Sequence, residues 1–433
     1  MYLYRTAILC ILAFWLAGCQ QTTLLSNNLK QDKFIRVYFN HRESTHYQDP
    51  YRQIERQGDN LEAIVIDEIN AARSTIDLAV QEFRLPQIAL ALANKQRSGV
   101  RVRVILDNNY SRPLSEISQA EINRLDGRDR RSYEEFIALA DSDKNGRLSE
   151  KEIATGDALI VLRQAGIPVI DDTADGSKGS GLMHHKLVII DRQKIITGSA
   201  NFTLSGIHGD FANPQTQGNV NHLLTIDNAP LANLFVEEFD YMWGDGMGKS
   251  RDSKFGLDKP KRLPQTLNWE NTQAIVQFSP TSPTQDWSST TNGLIGKTLE
   301  RATSSIDLAL FVFSDQKLAN ILESLHQRVN IETVFDPGFA FRYYSSALDM
   351  LGVELRNGCK PQVDNRPWQS SIQSIGIPQL ALGDKLHHKF ALVDEKIVIT
   401  GSQNWSPSAN FINDETVLII NNPTVAKQFQ QEF

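Results

Sequence analysis

Two stretches of this chain repeat one another in the order of their apolar and polar positions. Ile35-Arg36-Val37-Tyr38-Phe39 alternates with the period of a strand, and Ala274-Ile275-Val276-Gln277-Phe278 matches it. A helical run follows each, Leu61–Ala72 and Leu294–Ala302. Each helix leads into a strand of near-identical sequence, Ser74-Thr75-Ile76-Asp77-Leu78-Ala79 and Ser304-Ser305-Ile306-Asp307-Leu308-Ala309. Val100–Asp107 and Ile331–Asp336 predict the next strand of each repeat. Lys186–Asp191 and Lys389–Asp394 are short apolar runs of the kind buried on both faces.

Strands that alternate with helices predict α/β units with the sheet covered on both faces. Residues 34–243 form the first unit and 268–433 the second. Between them 244–267, rich in Gly, Lys, Asp, Ser and Pro and without periodicity, reads as a linker. Two equivalent units suggest a pseudo-twofold arrangement, with the same surface of each facing its twin. The run from Ile76 to His184 is longer than that from Ile306 to His387. The surplus coincides with a charged, helix-prone insertion at 114–155.

Both repeats end on one pattern, His184-x-Lys186-x4-Asp191-x6-Gly198-Ser199-x-Asn201 and His387-x-Lys389-x4-Asp394-x6-Gly401-Ser402-x-Asn404. Six fixed residue types make one chance match roughly one in tens of millions per starting position, so two matches are no coincidence. The residue types suit attack on a phosphodiester, which needs a nucleophile, a proton for the leaving oxygen and positive charge on the non-bridging oxygens. Residues i and i+2 of a strand share a face, so His184 projects with Lys186 and His387 with Lys389. Two units face to face would set two imidazoles and two ammonium groups around one phosphate. Asn201 and Asn404 would add amide donors, and Ser199 and Ser402 hydroxyls. An adjacent lysine repels a cation, which disfavours metal ligation by these histidines. His185 and His388 point the other way and read as structural, and Asp191 and Asp394 as buried hydrogen-bond or ion-pair acceptors.

The paired motif resembles the HxKxxxxD…GSxN signature of the phospholipase D superfamily, and the resemblance covers nearly all of the chain outside the insertion. It implies two α/β domains, each a mixed sheet flanked by helices, with the active site in the cleft between them. It also implies a phosphohistidine intermediate that water hydrolyses. In that family a downstream N-x-E places a carboxylate on the histidine of its own half. The second half has Asn413-Asp414-Glu415, whereas the first has Asn219-Val220-Asn221, an amide in place of the carboxylate. A carboxylate raises the pKa of the imidazole it holds. The resemblance therefore assigns His387 with Glu415 as general acid and His184 with Asn221 as nucleophile. A similar split marks the tyrosyl-DNA phosphodiesterase branch.

Within the insertion, Asp141-Ser142-Asp143-Lys144-Asn145-Gly146-Arg147-Leu148-Ser149-Glu150-Lys151-Glu152 resembles an EF-hand loop at every diagnostic position. Asp141, Asp143 and Asn145 would supply side-chain oxygens, Arg147 its carbonyl, Ser149 a hydroxyl or bridging water, and Glu152 two oxygens to Ca²⁺. No second complete loop is visible, and cleavage by two HxK motifs needs no metal. The expected calcium is therefore structural or regulatory.

Arg5 followed by the apolar run Ala7–Leu16 fits a secretory signal too short to span a bilayer. It ends in Leu16-Ala17-Gly18-Cys19, which resembles a bacterial lipobox. Residues 1–18 would be removed and Cys19 lipidated, anchoring an exported protein to a membrane, at the periplasmic face of the outer membrane in a Gram-negative cell. Cys359 is then left without an intramolecular disulfide partner. The net charge is -7, from 44 basic and 51 acidic side chains, which argues against a nucleic-acid-coating surface. Composition and anchor favour a phospholipase D reaction that cleaves phospholipid head groups and leaves phosphatidic acid. A secreted endonuclease of the same superfamily is the alternative, and a catalytically dead calcium-binding lipoprotein a weaker one. The sequence implies no protein partner.

Overall fold

The computed structural model describes residues 29–362 and 365–433. The expected signal segment and the expected lipidation site Cys19 lie outside the described residues. Each half is a mixed sheet with helices on its faces, as the repeated pattern predicts. The first sheet uses β1 (Ile35–Phe39), β2 (Thr75–Val80), β3 (Arg101–Leu106), β4 (Val169–Asp171), β5 (Lys186–Ile190), β6 (Lys194–Gly198) and β7 (His222–Asp227) in the order β1-β7-β6-β5-β2-β3-β4. β2, β3 and β4 run parallel, and β5 returns antiparallel to β2.

The second half repeats this order with an extra edge strand. Its strands are β8 (Gln265–Trp269), β9 (Thr272–Phe278), β10 (Ser305–Leu310), β11 (Asn330–Phe335), β12 (Ile375–Gly376), β13 (Lys389–Val393), β14 (Ile397–Gly401) and β15 (Thr416–Asn421). They are arranged β8-β9-β15-β14-β13-β10-β11-β12. β5 and β13, which carry the lysines of the paired motif, are buried along their whole length at the centre of their sheets. That position explains their unbroken apolar runs.

Helices start where side chains can cap them. Asn60 accepts the Ala63 N–H at the head of α1 (Leu61–Ala71), as Asn N-caps do. Asn228 and Asn422, each followed closely by proline, cap the equivalent helices α6 (Ala229–Trp243) and α9 (Pro423–Glu432). The outer face of the first sheet packs on α1 and α2 (Pro86–Arg97) around Leu61, Ile88, Leu92 and Val188. The second sheet builds a similar outer core with α7 (Thr291–Leu299) and α8 (Gln316–Leu325) around Ile295, Leu322 and Ala391.

A third cluster belongs to both halves. Phe39, Leu187 and Leu224 of the first sheet join Phe390, Leu418 and Val276 of the second, with Phe235 and Phe239 of α6 and Phe429 of α9. Phe39 meets Phe429 edge-on at 5.3 Å between centroids. The two units are thus welded by a hydrophobic core.

One expectation needs correction. The segment 244–267 is no free linker: Phe255, Gly256 and Lys259 are buried, and its last residues enter β8. Lys259 pairs with Glu238 and with Asp414 at 2.6 Å, and Arg262 also reaches Glu238. Glu238 accepts as well from His185 at 2.9 Å. A chain segment rich in small and charged residues reads as a loop, but its cations are drawn in by buried carboxylates that pattern alone does not reveal.

The insertion is helical, with α3 (Gly127–Ala140), the loop, and α4 (Glu150–Gly156), before α5 (Ala158–Gln164) rejoins the domain. Gly156 permits a close crossing, because a Cβ there would lie 2.6 Å from that of Ala140. Among the described residues no helix is long and apolar enough to cross a membrane.

Removing Glu238 would leave Arg262 without its ion-pair partner, Lys259 paired with Asp414 alone and His185 hydrogen-bonded to Thr416 alone, in a dry interface. We expect Glu238→Ala to cost about 3–5 kcal/mol in chemical denaturation. A loss within experimental error of zero would mean that this cluster does not hold the halves.

Candidate active site

The two repeats enter their catalytic strands by the same route. Asp107, at the end of β3, accepts the Met183 N–H at 3.0 Å, and Asp336, after β11, accepts that of Leu386 at 2.9 Å. These carboxylates aim the His184 and His387 segments, and pattern reading missed them. Their signal was present as the final aspartate of each repeated strand. Beyond each anchor the chain pairs with the opposite half: His184 N–H donates to Asp414 O and His387 N–H to Val220 O, both at 3.0 Å.

This strand exchange across the interface decides which side chain holds which imidazole. Nδ1 of His184 donates to Glu415 Oε2 at 2.6 Å, and Nδ1 of His387 to Asn221 Oδ1 at 2.9 Å. The expectation that each histidine is held from within its own half is overturned. The carboxylate sits on His184 and the amide on His387. The amide's orientation is set by its other bonds, since Nδ2 donates to Gly206 O and Asn219 O while Oδ1 accepts from Ser199. In both rings Nδ1 is committed, and Nε2 is left for chemistry.

The serines are also corrected. Ser199 and Ser402 are fully buried and brace the partners rather than the substrate. Ser199 Oγ donates to Asn221 at 2.7 Å, and Ser402 bonds Glu415 and accepts the Thr416 N–H. The preceding glycine explains the motif's Gly-Ser: a Cβ at Gly198 would stand 2.3 Å from His222 O, and one at Gly401 2.1 Å from Thr416 O. Asp191 and Asp394 are half-buried rather than buried and form no ion pair among the described residues. Each accepts three successive backbone N–H groups, from Arg73–Thr75 and from Thr303–Ser305, pinning the turn after the catalytic strand. His185 and His388 face away from the cleft, onto Glu238 and Glu432.

His184, Asn201, His387 and Asn404 line one cleft of about 910 Å³. Lys186 and Lys389 lie beneath it, each turned onto the carbonyl of its own histidine at 2.8 and 2.7 Å. Lys186 also reaches Gln81 at 3.4 Å, as does Asn201. The equivalent place in the second half is Phe311, whose ring lies 4.6 Å from His387 and 4.9 Å under Lys389. Gln81 and Phe311 follow the repeated strands and were not picked out by the motif.

Burial dominates the electrostatics. It drives His184 and His387 well below the ordinary imidazole range, and both lysines add to the effect. Burial pushes Lys186 down to about 7 against the pull of Glu415 and Asp107, and drives Lys389 well below its usual value with help from Lys186. Glu415 is pushed up to about 7, with Lys186 opposing. A dry site holding two ammonium groups is poised for an anion, which would restore the charge that burial penalises.

The insertion loop has the shape for a divalent cation. Oxygens of Asp141, Asp143 and Glu152 lie within 4.8 Å of one another, and Gly146 turns at φ +78°. Asp141 accepts the N–H groups of Asn145 and Gly146, and Asn145 that of Arg147. Ser149 and Glu152 also form a reciprocal cap on α4, a second use of two expected ligands.

A family model described as "Cardiolipin synthase, PLD-like domain" matches residues 65–243 and 295–433, and the chain belongs to this phospholipase D-like family. Mitochondrial cardiolipin hydrolase of Mus musculus is 33% identical over 173 residues, 40% of this chain and 53% of that protein. Phospholipase D of Rickettsia prowazekii is 25% identical over 176 residues, 40% of this chain and 58% of that one. The matched stretch spans about half the length of these curated relatives. Phosphatidylserine synthase of Haemophilus influenzae shares the fold over 94% of this chain and 88% of its own, with a TM-score of 0.53 at 14% identity.

The crossed partners make a spectroscopic prediction. The 2.6 Å bond should give His184 a strongly downfield imidazole N–H proton, removed by Glu415→Gln and kept in Asn221→Ala. The opposite dependence would uncross the pairs.

Proposed function

We propose that this protein is a phosphodiesterase that releases phospholipid head groups and leaves phosphatidic acid. The observation that carries the reading is two imidazoles in one cleft, each held at Nδ1 by the opposite half with Nε2 free. His184 Nε2 attacks phosphorus, the bond to the leaving alkoxide breaks, and His387, an imidazolium once the phosphate anion is bound, gives its Nε2 proton to that oxygen and stays protonated at Nδ1. Water then attacks the phosphohistidine as His387 takes its proton, the P–N bond breaks, and His184 is regenerated. Lys186, Lys389, Asn201 and Asn404 stabilise the non-bridging oxygens.

The nucleophile remains His184, now for a different reason. A ring phosphorylated at Nε2 and protonated at Nδ1 carries a positive charge through the whole intermediate, and Glu415 can balance it. Asn221 cannot, but it leaves His387 the stronger acid. The lipid reading draws on the relatives named as cardiolipin hydrolase and phospholipase D, on the mild negative charge, and on a lipid anchor proposed at Cys19.

Calcium belongs to this proposal as a structural ion. Asp141, Asp143, Asn145, Arg147, Ser149 and Glu152 would hold it, and its chemistry there is to neutralise clustered carboxylates. No step of the cleavage passes through it.

His184→Ala should abolish turnover of phosphatidylcholine, cardiolipin and single-stranded DNA alike. His387→Ala should accumulate phosphate on His184 with substrates whose leaving groups need no proton. Cleavage of DNA alone by the wild type would replace the lipid reading with the nuclease, and phosphate trapped on His387 in His184→Ala would reverse the roles.

The pH profile should be a bell near 7. Below about 7 Glu415 takes up a proton and can no longer accept from His184; above it Lys186 loses its charge. Glu415→Gln should flatten the acid limb, and an unchanged limb would remove Glu415 from the titration.

Calcium should raise the melting temperature, by the equivalent of about 2.7 kcal/mol at 100 times its Kd. Glu152→Gln should abolish the rise, and chelation should lower activity in part. Complete loss of activity in chelator with the fold intact would put calcium in the mechanism.

A further inference from the structure

The inserted helix α3 is more than a support for its loop. Arg128, Arg131, Ser132 and Glu135 line the same cleft as His184 and His387. Among the described residues the second half has no counterpart of this wall, since its repeat lacks the insertion. Arg342 and Lys385 approach from the second half. Lys385 is held below its usual pKa first by burial and then by Arg128, with Arg131 adding to it, so these cations meet across the opening.

The carboxylates around them are mostly committed elsewhere. Glu82 pairs with Arg128 and Arg84. Asp384 accepts the N–H groups of Gln217 and Gly218, and Asp336 those of Leu386 and Gly338. Glu135 keeps its proton, pushed up to about 9 by burial and by its hydrogen bond with Asp210. Among the described residues, Arg131, Arg342 and Lys385 make no ion pair. Asp336 and Asp210 act on Lys385 from beyond ion-pair distance, so three cations without a close carboxylate partner face a cavity near the upper end of the ~300–1,000 Å³ usual for ligand pockets. One phosphodiester at the histidines leaves much of it unfilled.

The other end of α3 is the calcium loop, because the helix's C-terminal cap is Asp141 itself. Beneath the helix, Phe136 and Leu139 roof a cavity of about 30 Å³ over Arg84 and Thr203, room for about one water. Arg131 stands on the helix whose last turn the loop caps.

We propose that α3 is a substrate-binding wall on which Arg131, with Arg342 and Lys385 opposite, binds a second phosphate of the substrate, and that the calcium loop sets its position. This rests on the phosphodiesterase reading, and it names a substrate class: molecules with two phosphates a few bonds apart. A lipid bearing two phosphates and consecutive phosphates of a nucleic acid both qualify.

The test is calorimetric binding of propane-1,3-diol bisphosphate and of inorganic phosphate to the calcium-loaded mature protein. The bisphosphate should bind about tenfold more tightly than phosphate, the scale of one charge-assisted bond. Arg131→Ala should remove that advantage and leave phosphate binding unchanged; Arg131 is exposed, so the variant should fold. Glu152→Gln in calcium, or the wild type in chelator, should lose part of the same advantage. Equal weakening of both ligands by Arg131→Ala, or no weakening, overturns the subsite, and indifference to calcium overturns the lever.

In turnover, Arg131→Ala should raise KM about tenfold for cardiolipin vesicles and not for phosphatidylglycerol vesicles if the second phosphate is a lipid's. The rise falls on an oligonucleotide if it is a nucleic acid's, and on neither if the subsite is wrong. Binding needs no turnover, so an inert protein that still prefers the bisphosphate would refute the activity and spare the subsite.

Discussion

Each catalytic imidazole is held by a side chain from the other half, His184 by Glu415 and His387 by Asn221, and much of the molecule can be traced to that reciprocity. Neither half contains a complete site. The backbone exchange at Asp414 and Val220, the shared aromatic core and the buried Glu238 cluster all serve to fix one half against the other. A shift of one unit by an ångström would break both imidazole bonds at once. Under the proposed mechanism the hydrophobic weld between the sheets is a catalytic requirement as well as a source of stability.

The exchange also breaks the symmetry that duplication would impose. A carboxylate and an amide occupy equivalent places, so the two rings are held by acceptors that differ in charge, the difference on which the proposed division of roles rests. Gln81 opposite Phe311 extends the asymmetry to the lysines, one among polar oxygens and the other over an aromatic face. Burial keeps five ionisable groups, His184, His387, Lys186, Lys389 and Glu415, away from their solution pKa values. The inserted helix adds a further difference, since it builds one wall of the cleft from residues the second half does not possess.

Much of this was legible from residue order. The strand predicted at Ser74–Ala79 runs Thr75–Val80, and the two HxK motifs do meet in one cleft, because duplicated units must pack through equivalent surfaces. What was not legible concerns contacts across the interface. Asn413-Asp414-Glu415 follows the second motif in sequence, yet its strand end crosses to the first half, and distance along the chain carries no trace of that. Ser199 and Ser402 look like ligands for phosphate by type, but a Gly-Ser step pressed against a neighbouring strand turns their hydroxyls inward. Lys259 and Arg262 seemed linker residues because their partners, Glu238 and Asp414, are remote in sequence. Arg131 was hidden in an insertion read only for its calcium loop, ten residues before the first expected ligand.

The most direct test of the composite site is a crystal structure of the mature protein with vanadate bound. The account predicts a single vanadate in the cleft, with vanadium bonded to His184 Nε2, His387 Nε2 facing the opposite apical oxygen, and Glu415 still on His184 Nδ1. Vanadium bonded to His387, or an anion held wholly within one half, would contradict it.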